Sequence, residues 1–131
     1  MKISKSANFF IKIAKIYTTI EIPVPDVLFT QNVSILNIAN VELVIQNFPG
    51  HSPGSCIIKI DNYLFSGDIL YKNGIGLGSI PKEDINVLKK SIMEIFDRFP
   101  ENSLILPGHG NFEKLKYIKS NNYELLQFLN L

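Results

Sequence analysis

Three glycine-containing turns constrain this sequence more than any other feature, because each follows an apolar run typical of a β-strand. The turns carry His51, Asp68 and His109, and the two histidines are the only ones in the chain. Turns at strand ends are where a rigid scaffold usually presents reactive groups. The sequence therefore predicts a site built from these three residues. The turns are Pro-Gly-His-Ser-Pro-Gly-Ser at 49–55, Ser-Gly-Asp at 66–68 and Pro-Gly-His-Gly at 107–110.

The composition is that of a single globular domain over residues 1–131, with 46% hydrophobic and 19% charged residues. The net charge is +1 and no basic stripe is interleaved with aromatic residues, so nucleic acid is not an expected partner. No apolar stretch approaches the roughly 20 residues that span a bilayer. Contact with a membrane is therefore not expected either.

The single cysteine, Cys56, rules out an internal disulfide and favours a reducing compartment, here the cytoplasm. Its apolar neighbours indicate a small core residue rather than a catalytic thiol. The first 20 residues are basic and contain no acidic residue, which leaves an organellar transit segment open as an alternative.

The order of the predicted elements indicates an α/β (α+β) fold. A short helix at 6–14 begins the chain, and a hairpin signal surrounds the turn at 39–40. In the second arm of that hairpin, Val41, Leu43 and Ile45 alternate with other residues, which predicts one buried face. The strands are predicted at 16–22, 33–38, 41–48, 56–60, 63–65 and 103–106.

Two helical segments follow the strands. The clearer one spans 83–99, where apolar residues recur every three or four positions and charged residues lie opposite them. Pro100 ends this helix. The segment 113–129 is also helical, with a break at 120–122. The glycine-rich stretch at 72–78 is expected to be a mobile loop, and its glycine spacing does not fit a nucleotide-binding turn.

The three turn residues have the chemistry of metal ligands. Imidazole and carboxylate groups bind zinc, and imidazole also binds iron. A catalytic zinc takes three protein ligands and a structural zinc takes four. Each residue taken alone also has an ordinary interpretation, since a histidine in a Pro-Gly turn can be a surface residue and Asp68 can close an Asx-turn. Their occurrence on successive strand ends favours the metal site.

The three motifs, with Leu64 and Phe65 before the second, resemble the second half of the metallo-β-lactamase superfamily, and within it the glyoxalase-II-like hydrolases. This resemblance implies an αββα sandwich with a mixed sheet and flanking helices. It also implies two metal ions, zinc or else iron or manganese, that serve hydrolysis of an ester, thioester or amide. By resemblance, His51 would bind the first metal, Asp68 would bridge both as the catalytic residue, and His109 would bind the second.

The sequence departs from the family pattern in two places. No histidine precedes His51, so the HxHxDH motif that supplies most of the family's ligands is absent. Residues 70–82 would form part of the substrate rim, where the family often has an arginine and an acid, but this chain has Gly-Leu-Gly at 76–78. We therefore expect a partial domain, truncated in its N-terminal half and inactive as an isolated chain.

Different functions remain open at this point. The leading one is an ester or thioester hydrolase completed by another chain, and the alternative is a non-catalytic binding or interaction module, or a fragment that keeps part of the fold. Because the two sheets of the sandwich bury each other's inner faces, we expect an uncovered apolar face. The expected partners are a complementing N-terminal half chain or a second copy of this chain, and a small-molecule substrate once the site is complete.

Overall fold

The computed structural model describes Phe29, residues 31–78 and residues 81–130. The predicted helix at 6–14 and strand at 16–22 lie outside the described residues. Within the described part, a mixed six-stranded sheet packs against helices, and a small two-stranded sheet lies beside it. The predicted mixed sheet with flanking helices is therefore confirmed.

Eight strands and three helices make up the described part. The strands are β1 (Val33–Ile38), β2 (Val41–Asn47), β3 (Cys56–Ile60), β4 (Tyr63–Gly67), β5 (Leu70–Tyr71), β6 (Gly74–Ile75), β7 (Leu104–Pro107) and β8 (Glu113–Lys114). The helices are α1 (Ile85–Arg98), α2 (Leu115–Asn121) and α3 (Tyr123–Leu129). The large sheet has the order β1-β2-β3-β4-β7-β8, and β5 pairs only with β6.

Tight turns set the register of the antiparallel strands. Ala39 and Asn40 both have positive φ, at 50° and 65°, which matches the twist of a two-residue hairpin between β1 and β2. Asp61 likewise has a φ of 50° in the turn between β3 and β4. The predicted hairpin around 39–40 is therefore confirmed, because its turn residues tolerate the backbone conformation that such a turn requires.

Helix α1 follows β6 and leads to β7, which is parallel to β4. Its N-cap is Asp84, whose side chain accepts a hydrogen bond from the Val87 amide at 3.0 Å. The predicted apolar stripe is buried, with the exception of Ile85, which is 52% exposed because it lies in the first turn and faces solvent. The buried apolar residues of the stripe are Leu88, Ile92, Ile95 and Phe96.

The predicted C-terminal helix is two helices, and residues 113–114 form a strand instead of a helical turn. The break falls at Asn122, where the predicted interruption was placed, and this residue caps the start of α3. Leu115, Ile118 and Leu125 are fully buried and join the core that α1 forms with the sheet.

The glycine-rich stretch after Asp68 is more regular than predicted. Residues 70–75 form the β5–β6 hairpin, in which Leu70 pairs with Ile75 and Tyr71 pairs with Gly74. Leu70 and Ile75 belong to the buried core. The prediction of a simple loop is therefore wrong here, because two apolar side chains anchor the segment.

The two faces of the large sheet have different surroundings. Ile57, Leu64 and Ile105 lie on one face and pack in the core with the helices. The other face is apolar but only half covered. Phe65 on this face is 40% exposed and Val41 is 41% exposed, so the sequence alternation did not predict which face is buried. One row of partners on this apolar face is Ser34, Ile45, Ile58, Phe65 and Leu106.

The location of the single cysteine agrees with the sequence. Cys56 is a free, half-buried thiol at the start of β3, and burial raises its pKa, so it is a packed residue rather than a reactive thiolate. Among the described residues, no helix has the length and hydropathy needed to cross a bilayer.

The close approach of the Gly50 backbone to helix α1 makes a testable prediction. Gly50 has a φ of +138°, and a Cβ atom at this position would lie 2.3 Å from the Leu88 Cα atom. We expect Gly50→Ala to lower the free energy of unfolding by about 3 kcal/mol, through backbone strain and displacement of the helix. Urea denaturation followed by circular dichroism measures this loss.

Gly110→Ala is the matched control for this substitution. Gly110 also has positive φ, at +82°, but a Cβ atom there has no neighbour within 4 Å. Its substitution should cost only the conformational strain, about 1 kcal/mol. Equal losses for the two variants would show that the contact with Leu88 does not determine the stability of this turn.

Candidate metal centre

The His51 turn is attached to helix α1 by backbone hydrogen bonds. The Asp84 amide donates to the Gly50 carbonyl oxygen at 2.8 Å. The Ser91 hydroxyl donates to the Pro49 carbonyl oxygen at 2.6 Å. These two bonds hold the turn against the first half of the helix, so the position of His51 is set by elements on both sides of it in the sequence.

Asp68 and His109 meet because the strands that precede them are parallel neighbours. Strand β4 leads to Asp68 and strand β7 leads to His109, and the register pairs Gly67 with Pro107. The Gly108 amide then donates to the Gly67 carbonyl oxygen at 2.8 Å. Parallel strands deliver the residues after their carboxyl ends to the same edge of the sheet.

The three predicted residues lie together at this edge. The His51 Nε2 atom is 3.9 Å from Asp68 Oδ2, and the His109 Nε2 atom is 3.7 Å from Asp68 Oδ1. Both distances are too long for hydrogen bonds. Metal–ligand bonds of about 2.0–2.2 Å place two ligands of one ion roughly 3–4 Å apart, so each pair has the spacing of two ligands on a shared ion.

The Asp68 carboxylate takes part in two separate pairs, one with each histidine. Each Asp68 oxygen faces a different histidine. Within residues 31–78 and 81–130, no group of three histidine, cysteine or carboxylate side chains forms a metal-binding cluster. The described residues thus supply a bridge and one histidine on each side of it, which is fewer than the three protein ligands of a typical catalytic zinc.

The Asp68 carboxylate is incompletely satisfied by the protein. Its side chain is 38% exposed overall, yet Oδ1 is inaccessible to solvent and has no hydrogen-bond partner among the described residues. A Cβ atom on Gly108 would lie 2.5 Å from Oδ1, so the glycine is what lets the carboxylate lie against the backbone. A buried carboxylate oxygen without a donor fits a cation ligand.

The tautomer of His51 follows from its hydrogen bond. The Nδ1 atom lies 2.8 Å from the Gly76 carbonyl oxygen, which can only accept. The proton of the neutral imidazole is therefore on Nδ1, and Nε2 keeps its lone pair toward Asp68. Metal-binding histidines are commonly oriented in this way by a backbone carbonyl group.

Tyr71 is a neighbour of the site that the sequence pattern did not identify. Its ring lies 6.3 Å from the His109 ring, measured between centroids. The pKa of Tyr71 is raised to about 12, mainly by burial and further by hydrogen bonding to Asp68 and the negative charge of that residue. The phenol therefore stays neutral and can donate to the carboxylate. The sequence signal that could have identified Tyr71 is its place directly after the apolar residues Ile69 and Leu70, which fixes the start of this segment in the core.

The predicted substrate rim begins beside this site. Lys72, at the tip of the β5–β6 hairpin, pairs with Glu113 at 3.0 Å and lies 5.3 Å from the Tyr117 ring centroid. A hydrogen bond from the Lys114 amide and the bond from Lys72 lower the pKa of Glu113. The hairpin lysine is thus engaged with protein groups. Leu77, 43% exposed, follows Gly76 at the rim.

Sequence comparisons connect this chain with hydrolases. Hydroxyacylglutathione hydrolase GloC of Haemophilus influenzae is 31% identical over 100 residues, which are 75% of this chain and 47% of that protein. "Probable metallo-hydrolase YqgX" of Bacillus subtilis is 39% identical over 77 residues, 57% of this chain and 36% of that protein. Acyl-coenzyme A thioesterase MBLAC2 of Gallus gallus is 30% identical over 99 residues, 70% of this chain and 35% of that protein.

Solved structures agree with these relatives. The crystal structure of BLEG-1 B3 metallo-β-lactamase superimposes with a TM-score of 0.67 and 29% identity, over 75% of this chain and 47% of that one. The chain belongs to the metallo-β-lactamase superfamily. A comparison of the sequence with protein-family models found no match.

The coverage of the superfamily fold is partial. TTHA1623, solved in a di-iron-bound form, superimposes with a TM-score of 0.67 and 24% identity over 77% of this chain and 49% of that one. At this identity the match shows the fold alone. The chain spans about half of each of these two structures and less than half of the three relatives.

The unsatisfied oxygen of Asp68 gives a prediction about stability. Removing a carboxylate that lacks a donor should not destabilise the metal-free protein, so we expect Asp68→Ala to keep or raise the free energy of unfolding by up to about 1 kcal/mol. Asp84→Ala is the comparison, because Asp84 caps α1 and its loss should cost about 1 kcal/mol. Urea denaturation in the presence of a chelator measures both. A loss for Asp68→Ala as large as that for Asp84→Ala would assign Asp68 a structural role.

Proposed function

We propose that this chain supplies the bridging aspartate and one histidine for each of two metal ions in a hydrolase that cleaves ester or thioester bonds. The observation that carries the proposal is that Asp68 directs each carboxylate oxygen toward a different histidine, while the buried Oδ1 has no donor. In this assignment His51 and Asp68 hold the first ion, and Asp68 and His109 hold the second. Zinc, iron and manganese all suit such a set of ligands.

The residues of this chain have distinct tasks in the proposed site. The ions supply Lewis-acid polarisation of the scissile carbonyl group when bound. His51 presents Nε2 to the site because its Nδ1–H group donates a hydrogen bond to the Gly76 carbonyl oxygen. The Tyr71 ring lies 6.3 Å from the His109 ring, between centroids, and its neutral phenol would be available to donate to Asp68. His109 is 80% exposed, which leaves its side of the site open to an incoming substrate.

The names of two relatives support an acyl thioester as the substrate. One relative is a hydroxyacylglutathione hydrolase and another is an acyl-coenzyme A thioesterase. The glyoxalase-II-like assignment of this chain rests on that similarity and on the three turn motifs. The rim carries the exposed residue Leu77, which argues for an acyl group recognised by apolar contacts.

A non-catalytic module is the second candidate, and one observation favours it. The described residues provide two ligands on each side of the bridge, whereas a catalytic zinc takes three protein ligands. A site that never receives further ligands would bind metal weakly. The fold would then serve as a binding or interaction surface.

We propose that the apolar face of the large sheet is covered by a polypeptide that carries the histidine-rich half of the fold. The face lies opposite the helices and is partly exposed along several strands, with Ile38 57% exposed and Tyr63 46% exposed. An apolar sheet face of this kind is the surface that the second sheet of an αββα sandwich would bury. The same polypeptide would add the missing ligands, and a homodimer is the competing outcome.

Metal content tests the proposed site. We expect the purified wild-type chain, mixed with a polypeptide that carries the other half of the fold, to retain zinc or iron after dialysis, and Asp68→Asn in the same mixture to lose it, because the bridging ligand is removed. Asp97→Asn is the matched control, since Asp97 is an exposed residue of α1 far from the site in sequence. Elemental analysis per chain, before and after treatment with a chelator, gives the result.

Activity is measured on the same preparations with a hydroxyacylglutathione and an acyl-coenzyme A as substrates. Thioester hydrolysis that requires added metal and disappears in Asp68→Asn supports the hydrolase. Metal retention without hydrolysis, in the presence of the complementing polypeptide, supports the non-catalytic module. A wild-type chain that binds no metal above the Asp68→Asn level would overturn the proposal.

Association with the second half is a separate prediction. The part of Haemophilus influenzae GloC outside the matched 100 residues serves as the probe polypeptide. We expect it to form a one-to-one complex with this chain in sedimentation equilibrium, and Phe65→Ser to weaken the complex about tenfold by removing a large apolar contact. Met93→Ser removes an exposed apolar side chain of α1 and should have no effect. Homodimers that Phe65→Ser dissociates would identify a second copy as the occupant instead.

A further inference from the structure

Asn122 is a fully buried polar residue whose position in the fold links the last helix to the metal centre. It is 0% exposed and stands alone between α2 and α3. A buried amide of this kind is retained only where its hydrogen bonds are made. Its contacts therefore identify what it holds in place.

Both ends of the Asn122 side chain have partners. The Nδ2 group donates to the Tyr71 carbonyl oxygen at 3.1 Å and to the Gly74 carbonyl oxygen at 3.0 Å. The Oδ1 atom accepts from the Leu125 amide at 3.1 Å and caps α3. Because carbonyl oxygens only accept and the amide N–H only donates, this orientation of the side chain is the one that satisfies every group.

The two carbonyl groups belong to opposite strands of the β5–β6 hairpin. Tyr71 and Gly74 are paired residues on either side of the hairpin turn. Immediately after this hairpin, the Gly76 amide donates to the Ile69 carbonyl oxygen at 3.2 Å, and the Gly76 carbonyl oxygen accepts from His51 Nδ1 at 2.8 Å. The hairpin therefore lies between Asn122 and the carbonyl group that fixes the His51 tautomer.

We infer that Asn122 is a positioning residue for His51, and that it acts by holding the β5–β6 hairpin so that the Gly76 carbonyl group keeps the imidazole proton on Nδ1. The inference deepens the proposed function, since it concerns how the first metal position is prepared. Asn122 itself touches neither histidine nor Asp68 in the contacts described above. Its effect is transmitted by backbone geometry.

A second contact on the same hairpin is too weak to replace this one. Lys72 at the hairpin tip pairs with Glu113, but both side chains are partly exposed and the pair is screened by water. The Asn122 bond to the Gly74 carbonyl group is buried and the bond to the Tyr71 carbonyl group is partly buried, and both carbonyl groups lose the Asn122 donor when the side chain is shortened. Leu70 and Ile75 would still anchor the hairpin in the core, but we expect its backbone to shift locally toward other donors and the Gly76 carbonyl group to move with it.

The test uses Asn122→Ser in the full chain. Serine keeps an N-cap oxygen for α3 but is too short to donate to both hairpin carbonyl groups. In metal-free protein, the ¹⁵N shifts of the two His51 ring nitrogens report which of them carries the proton. We expect a single Nδ1-protonated form of His51 in the wild type and a mixture of tautomers in Asn122→Ser. Should Asn122→Ser fail to fold, Asn122→Thr offers a second residue that caps the helix.

Two control variants separate positioning from general destabilisation. Asn121→Ser changes the same residue type one position earlier, where the side chain is exposed and bonds only to the Tyr117 carbonyl oxygen. Ile118→Val weakens the same core and leaves the Asn122 hydrogen bonds to the hairpin in place. Both should keep the wild-type tautomer of His51, even if Ile118→Val and Asn122→Ser have equal midpoints in urea.

Zinc affinity provides the second readout. Outer-shell partners of metal ligands typically change affinity by about 10–100-fold, and we expect Asn122→Ser to weaken zinc binding about tenfold relative to both controls. A single Nδ1-protonated tautomer in Asn122→Ser would overturn the inference whether or not zinc binds. Absence of zinc binding in the wild type would overturn the proposed metal site, and the tautomer measurement would still decide the role of Asn122.

Discussion

The parallel pairing of β4 with β7 is the constraint on which the candidate site depends. All other neighbours in the large sheet are antiparallel, and only this pair delivers two turns to the same edge. The connection between the two strands is long enough to contain α1, as a parallel crossover requires. Its apolar stripe then covers the sheet, and its first half holds the His51 turn. One topological choice thus brings together residues 51, 68 and 109.

Close contacts of two glycine backbones then fix the side chains of the candidate site. Gly50 lies against α1 and Gly108 lies against the Asp68 carboxylate, at distances that leave no room for a Cβ atom. The carboxylate consequently presents each oxygen to a different histidine, while Oδ1 remains without a donor. An oxygen in that state adds nothing to the stability of the metal-free fold. In the proposed site, a cation would complete this oxygen.

The two faces of the sheet separate what stabilises this chain from what it presents to others. The helices cover Ile57, Leu64 and Ile105, which form the core. The opposite face is apolar and half exposed, although it includes the row Ile45, Ile58 and Phe65. In the arrangement we propose, another half of the fold would bury this face and add ligands. Folding and assembly of the metal centre would then be coupled, because one partner would supply both apolar contacts and ligands.

The sequence by itself determined the local elements and the three turn residues. Periodicity identified α1, and the turn residues at 39–40 and at Asp61 fit the hairpins that form there. The three glycine-containing turns indicated His51, Asp68 and His109 as candidate site residues. Only the tertiary structure decided which sheet face is buried. Val41 and Gln46 lie on opposite faces of β2, and the polar Gln46 is the buried one because the helices pack on its face. It also decided that the stretch after Asp68 is a hairpin held by Asn122, because hydrogen bonds between residues about 50 positions apart leave no local pattern in the sequence.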